Sequence, residues 1–337
     1  MPQALTLHAF GLDHLVLEDI TLPSLGPNDV HVRFHAASLN YRDLMVVLGQ
    51  YNPRLEMPRI PGSDAAGEIL AIGSSVTSLK PGDRVASLFF QDWHDGPIQN
   101  STGKSALGGP IDGVFATERV LPASGLIRIP DSLTYEQAAT LPCAALTAWN
   151  ALVERGGLFA GQTVLTLGTG GVSLFALQFA HAMGARVIAT SSSDEKLARA
   201  QALGASATIN YRANPQWDQV VQDLTGKRGV DHVVEVGGAG TLPLSIKAVT
   251  TGGKISVIGV LTGKGGTIDP TPILAKSIQL HGIYVGSRGM FERMLAAIEA
   301  NRIQPVIDQV FPLADYRVAF EHMQAGSHFG KIVLALA

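Results

Sequence analysis

The sequence predicts an α/β protein in which a β-rich N-terminal domain is joined to a doubly wound, six-stranded parallel sheet. Three observations carry that reading. Apolar and polar residues alternate with period two early in the chain, where Val30, Val32, Phe34 and Ala36 are set against His31, Arg33 and His35. From Thr163 onward, short apolar runs alternate with helical patterns, as expected for parallel strands covered by helices. Between the first of these runs and its helix stand Gly168, Gly170 and Gly171, at the strand end where such a sheet accepts a ligand.

Taken in order, the alternating strand is followed by a short helix over Asn40–Gln50, with Leu44, Val47 and Leu48 at helical spacing, and by a strand over Gly67–Ile72. Lys80-Pro81-Gly82-Asp83 is a turn, with proline presetting φ and glycine next, and it leads into a strand over Arg84–Phe90. Gln91–Asp112 has no period and is rich in Gly, Pro, Ser and Asn, so it reads as a long loop forming a lid or surface lobe. At its root, Phe89, Phe90 and Trp93 either line an apolar pocket or belong to the core, and Phe89 is the pocket candidate. Thr134 with Gln137 makes a capping box. A second helix starts near Pro142, carries Leu146, Trp149, Asn150 and Val153, and stops at Gly156-Gly157.

Thr163–Leu167 opens the parallel sheet, and the helix after it carries Leu174, Leu177, Gln178 and His181 before Gly184 closes it. Arg186–Thr190 is the second strand. Ser192 with Glu195 caps the next helix, which Gly204 ends. Ala207–Asn210, Asp231–Val236, Lys254–Gly259 and Gln279–Val285 complete the strands, and Asn214-Pro215 starts a helix with an N-cap and a proline at N1. The tail holds a helix, Phe291–Ala300, and a strand-like ending, His328–Leu334, whose β character returns it to the first domain. The expected division is 1–125 with 288–337 for the β-rich domain and 126–287 for the parallel sheet.

The glycine turn follows G-x-G-x-x-G with Ser173 in place of the third glycine. Strand, glycine turn and helix together form the unit that brings backbone N–H groups to a dinucleotide pyrophosphate. A hydrolase-type nucleophile elbow on Ser173 would need a second glycine where Phe175 stands, which excludes it. The formal net charge is −3 and no basic stripe is present, which argues against a nucleic-acid partner. No apolar run reaches the ~20 residues of a membrane span, and the N-terminus lacks a basic stretch followed by an apolar core. A single cysteine, Cys143, provides neither a disulfide framework nor a multi-thiolate metal site. A cytoplasmic enzyme acting on a small molecule is expected.

Several separated motifs resemble the medium-chain dehydrogenase/reductase superfamily: Ser38-Leu39-Asn40-Tyr41-Arg42-Asp43, the run Pro61–Glu68, Pro81-Gly82-Asp83-Arg84-Val85, Leu141-Pro142-Cys143-Ala144, the glycine turn, and Gly330-Lys331-Ile332-Val333. The likeness covers essentially the whole chain and implies a GroES-like catalytic domain beside a Rossmann domain. Ser-Leu-Asn-Tyr-Arg-Asp is similar to the zinc-independent quinone oxidoreductase and enoyl reductase branch. The zinc alcohol dehydrogenases of the superfamily hold their metal with Cys, His and Cys, with Glu beside the His. The corresponding positions here are Asn40, Ser63, Cys143 and Asp64, a poor set for zinc. The counterpart of their structural-zinc lobe is the cysteine-free loop Gln91–Asp112. No metal is therefore expected.

Without a Lewis acid, hydrogen-bond donors must neutralise the negative charge that hydride transfer builds on oxygen. Asn40 is the first candidate, its other reading being a helix cap; Tyr51, which the resemblance places near the nicotinamide, donates a proton, stacks on substrate, or is a half-buried surface tyrosine. An enolate or hydroquinone anion is delocalised and asks less of the protein than an alkoxide, which favours reduction of enones, enals or quinones. Cofactor choice turns on Thr190–Ser193, where an NAD site would place Asp or Glu about 20 residues past the glycines. Serines there admit a 2′-phosphate, so NADPH is expected, with NADH possible. The resemblance assigns Lys196 and Tyr211 to that phosphate, with Ser191 and Ser192 at the strand end, and puts Asn40, Thr147, Val172, Val236, Ile258, Val285 and Lys331 on the cofactor's border. It also implies a homodimer through the sixth strand. The alternatives are a zinc-independent alcohol dehydrogenase or ketone reductase, and a non-catalytic NADPH-binding protein.

Overall fold

Runs such as Thr163–Thr166 and Val230–Glu235 are buried at every position, so both faces of their sheet must be covered. The computed structural model describes residues 1–263 and 265–336. In it these runs belong to one of two units, Ala145–Gly286; the other is Met1–Ala144 with Ser287–Ala337. The first of these holds a six-stranded parallel sheet in the spatial order Ala207–Asn210, Arg186–Ser191, Thr163–Thr166, Val230–Glu235, Val249–Val257, Gln279–Gly282. The order reverses between Thr163–Thr166 and Val230–Glu235, and a doubly wound sheet opens its ligand crevice at that point. Leu165, Ile188, Val233 and Ile255 form the core beneath the helices Gly171–Ala182, Asp194–Ala202, Trp217–Leu224 and Leu242–Ala248.

Three local expectations shift here. Ser193, not Ser192, caps the helix Asp194–Ala202, its Oγ accepting from the Lys196 N–H at 3.4 Å. Its extended backbone leaves Asp194 and Glu195 in the first turn, where the helix dipole favours acids. The helix expected from Asn214-Pro215 starts at Trp217, because the Asn214 amide is spent on the Asn210 carbonyl at 3.3 Å. The sixth strand stops at Gly282, before the left-handed Val285 (φ 54°).

The other unit is built on a mixed sheet in the order Ile307–Pro312, Lys331–Ala335, Asp29–Leu39, Asp64–Ile72, Arg84–Ser87, Leu126–Arg128, with Glu118–Pro122 also paired to Asp29–Leu39. Lys331–Ala335 runs antiparallel to Asp29–Leu39, Ile332 opposite Leu39, so the tail does rejoin the first strands. Leu126–Arg128 pairs with Arg84–Ser87, and this unit's first stretch runs to Ala144. Gly62 has φ 87°, and a Cβ there would overlap the Phe115 ring, so only glycine fits this bend before Ser63 and Asp64. In the long loop, His94–Ser101 is exposed as a lobe, while Ala106 and Leu107 pack inward. The root is pinned by the Trp93 and His94 carbonyls, which accept from Arg288 and Gly289.

Candidate functional site

Chemistry-bearing residues gather in two places, one in each unit. In the parallel-sheet unit the strand Thr163–Thr166 ends in a glycine turn. Gly168 takes φ 74°, which disfavours any side chain, and its N–H donates to Thr190 Oγ1 at 3.2 Å. A Cβ on Gly168 or Gly170 would meet no protein atom within 4 Å, so the turn borders open space. The helix Gly171–Ala182 follows, and its N-cap, Gly170, offers no side chain to the first-turn N–H groups of Gly171 and Val172. Ser173 replaces the third glycine at no cost, since its Oγ, buried, donates to the Leu167 carbonyl at 2.7 Å. These features suit a dinucleotide pyrophosphate.

The flanks of the turn carry the other expected contacts. Ser191 ends the second strand, and its carbonyl accepts from the Tyr211 N–H at 3.0 Å, while Ser193 ties Lys196 to the same corner. The Asp194 carboxylate accepts from Asn210 Nδ2 at 2.7 Å, so it is held by the neighbouring strand. Val236 and Ile258 leave adjacent strands, joined through the Ile258 N–H and the Glu235 carbonyl at 2.9 Å. Val285 is held in its left-handed conformation by the buried Asn150 amide, which donates to its carbonyl at 2.7 Å. Thr147 is buried on the helix Leu146–Trp149. One residue here escaped the sequence reading: Glu235, fully buried, accepts from the N–H groups of Gly237 (2.8 Å) and Gly238 (3.0 Å), Thr241 Oγ1 (2.6 Å) and Ser245 Oγ. It shapes the loop that leaves the fourth strand. An acid inside the apolar run Asp231–Val236 was the available signal.

In the other unit, Asn40 caps the helix Tyr41–Val47, its N–H donating to Asp43 Oδ2 at 2.8 Å. The helix-cap reading of Asn40 therefore holds, and its amide side chain makes separate contacts. Its Oδ1 accepts from the buried ammonium of Lys331 at 2.5 Å, and Lys331 also donates to the Leu39 carbonyl at 2.6 Å. Asn40 Nδ2 faces Ser63 Oγ at 3.5 Å, Ser63 donates to Asp64 Oδ1 at 2.6 Å, and Asp64 Oδ2 accepts from the Cys143 N–H at 2.9 Å. Burial pushes the Asp64 carboxyl above its usual range against the opposing pull of Lys331, and it pushes Asp43 up to about 6 against Arg42. Burial, with the nearby Asp64 charge, also drives the Cys143 thiol far above its ordinary value, which disfavours the thiolate.

Tyr51 and Phe89 are brought together by Arg42, whose guanidinium lies 5.2 Å from one ring centroid and 4.8 Å from the other. Arg42 also donates to the Leu107 carbonyl at 2.6 Å. Phe89 is only 2 % exposed and packs edge-on against Phe90, which makes it core rather than pocket wall.

Comparison with known proteins fits this arrangement. Residues 26–131 match the model of the alcohol dehydrogenase GroES-like domain, and residues 171–300 match that of the zinc-binding dehydrogenases. The chain is 46% identical to a zinc-type alcohol dehydrogenase-like protein of Schizosaccharomyces pombe, over 97% of this chain and 96% of that one. The chain belongs to the medium-chain dehydrogenase/reductase superfamily. Within it, the chain is 29% identical to the acryloyl-coenzyme A reductase of Metallosphaera sedula, over 94% of this chain and 95% of that one. A solved NAD-dependent alcohol dehydrogenase superposes with a TM-score of 0.91 at 34% identity, over 99% of this chain and 100% of that one. The protein is an NAD(P)H-dependent oxidoreductase of the alcohol dehydrogenase and quinone oxidoreductase-like kind. No helix among the described residues is long and apolar enough to cross a membrane.

The name of the second matching model raises the question of zinc, against which the donor set can be compared. At the positions that the resemblance equates with the zinc ligands of the zinc alcohol dehydrogenases stand an amide oxygen already bound to an ammonium, a hydroxyl that donates to a carboxylate, and a single thiol. Zinc takes thiolate, imidazole or carboxylate ligands. These residues do not fit it.

Proposed function

We propose that this enzyme reduces quinones or α,β-unsaturated carbonyl compounds with a hydride from NADPH, and does so without zinc. The observation that carries the reading is the Lys331 ammonium on Asn40 Oδ1, since it fills with a buried cation the region where relatives of the zinc type bind their metal. NADPH, when bound, supplies the hydride. Gly168, Gly170, Gly171 and Val172 bind its pyrophosphate, and Ser191, Ser192, Lys196 and Tyr211 bind its 2′-phosphate; Thr147, Val236, Ile258 and Val285 border the nicotinamide half. Asn40 donates through Nδ2 to the substrate oxygen as the C=C electron pair moves onto it, and Tyr51 contacts the substrate or returns the proton. A delocalised enolate or hydroquinone anion matches what one or two neutral donors can stabilise. The relation to an acryloyl-coenzyme A reductase, whose name specifies an activated double bond, supports the same choice.

A second reading, a zinc-independent alcohol dehydrogenase or ketone reductase, is favoured by the likeness to the NAD-dependent alcohol dehydrogenase. Steady-state kinetics over quinones, 2-alkenals, ketones and alcohols, with metal analysis of the purified protein, separates the two. Turnover of quinones or 2-alkenals by zinc-free enzyme is expected. Turnover confined to alcohols or ketones, or activity that requires stoichiometric zinc, overturns the proposal. The same reading includes a homodimer through Gln279–Gly282, an edge strand whose Leu280 is exposed and whose outer rim has no partner strand among the described residues. It also includes the cytoplasm, whose reducing conditions suit a chain with one cysteine.

A further inference from the structure

We infer that Lys331 is a positioning residue for Asn40: its ammonium holds the amide carbonyl, so that the amino group is the end left to meet a substrate oxygen. An asparagine amide presents an acceptor on one side and two donors on the other, and nothing in the residue itself chooses which end faces a ligand. Here the choice is forced. An ammonium has only donors, so the atom 2.5 Å from Lys331 Nζ must be the amide oxygen. At the far end of the chain of contacts, the Asp64 carboxylate accepts from Ser63, so the Ser63 oxygen turns its lone pairs toward Asn40 Nδ2. The hydrogen bonds thus run in one sense, from cation through amide and hydroxyl to carboxylate, and such chains polarise each member. Lys331 is 4% exposed and Asn40 7%, so water competes little for either.

Two consequences follow for chemistry. A positive charge on the amide oxygen draws electron density from nitrogen and makes its N–H groups stronger donors. The contact to Ser63, at 3.5 Å, lies at the long limit of a hydrogen bond and leaves donor capacity for a developing oxyanion. Lys331 acts through Asn40, and it needs no contact with the substrate or cofactor. The inference rests on the reading of Asn40 as donor, so the experiment separates the two.

The kinetic arm measures Lys331→Met, Asn40→Ala and the double variant with NADPH and a 2-alkenal. Lys331→Met is expected to lower kcat by about 10–100-fold, less than the ~100–1,000-fold for outright loss of an oriented donor because the amide itself remains, with KM for NADPH unchanged, and to add nothing further to Asn40→Ala. If instead the two losses multiply, or KM for NADPH rises with kcat retained, Lys331 is a cofactor contact and the inference is overturned. Where Lys331→Met fails to fold because Asp64 is left uncompensated, Lys331→Met with Asp64→Asn replaces it. The second arm reads the side-chain amide signals of 15N-asparagine-labelled protein, with Asn40 assigned by its loss in Asn40→Ala. A shift of the Asn40 pair in the Lys331 variant supports the inference, and an unmoved pair overturns it, whether or not the enzyme reduces alkenals.

Discussion

The glycine turn and the Asn40–Lys331 cluster divide the work of the molecule in opposite ways. At the turn, the proposed function rests on backbone: Gly168 and Gly170 would contribute by having no side chain, and what they border is open space. In the cluster, the proposed function rests on side chains that hold one another out of water, with Lys331 and Asp64 at its two ends. A site made of absent atoms costs the fold little to change, whereas a buried, charge-balanced site is part of what keeps the fold together. Substitutions in the cluster should therefore appear as lost stability, and substitutions in the turn as lost affinity.

The sharpest break between them comes from Asp64→Leu. It removes the acceptor of the Cys143 N–H and the Ser63 hydroxyl and leaves the buried Lys331 with only the weaker influence of Asp43, itself paired with Arg42. A loss of about 3–5 kcal/mol in chemical denaturation is expected, as for one half of a buried ion pair. Adding Lys331→Met should restore most of it, because the remaining cluster is neutral. A loss below about 1 kcal/mol would mean that the cluster does not carry the fold.

Gly170→Val tests the other side. The backbone there is extended, φ −79° and ψ 179°, and a Cβ meets nothing, so the fold should lose only about 1 kcal/mol from a poorer N-cap. NADPH affinity, measured by fluorescence titration, should fall about 10–100-fold, equivalent to ~1.4–2.8 kcal/mol, because the side chain stands where the pyrophosphate must approach. A variant that binds NADPH normally would show that the open space is not the cofactor cradle.

The same contrast explains which parts were legible in the sequence. Strand, glycine turn and helix are neighbours along the chain, so their spacing alone specifies the geometry, and five of the six parallel strands were found within a few residues of their true limits; the fifth starts earlier, at Val249, because a bulge interrupts its pairing with the fourth. Capping was readable at Thr134, shifted by one residue from Ser192 to Ser193, and by two from Asn214 to Gln216, with Asn214 donating to the Asn210 carbonyl instead. The cluster was not readable in this way. Cys143 reaches Asp64 across 79 residues and Lys331 reaches Asn40 across 291, and no local pattern records that convergence. Motif resemblance named Asn40 and Lys331 separately; only the fold makes them partners. Arg42, which gathers Tyr51 and Phe89, was quoted within a motif without a role for the same reason.

The smallest effect is expected at the rim of the proposed cradle, where our reading puts the choice between NADPH and NADH. Ser191, Ser192, Lys196 and Tyr211 share one corner, and Asp194, the nearest acid in sequence, is drawn toward Asn210. A half-buried lysine on a phosphate at the protein surface contributes about 1 kcal/mol, so Lys196→Ala should lower kcat/KM for NADPH by about 5–10-fold. It should leave kcat/KM for NADH unchanged, since that cofactor has no 2′-phosphate to lose. The effect should shrink as salt rises, because a surface charge pair is screened over about 10 Å at 0.1 M ionic strength. Equal losses with both cofactors would assign Lys196 to the shared pyrophosphate or to the fold. An NADH preference in the parent enzyme would mean that the three serines do not select the phosphate, and that selectivity has to be sought beyond this strand end.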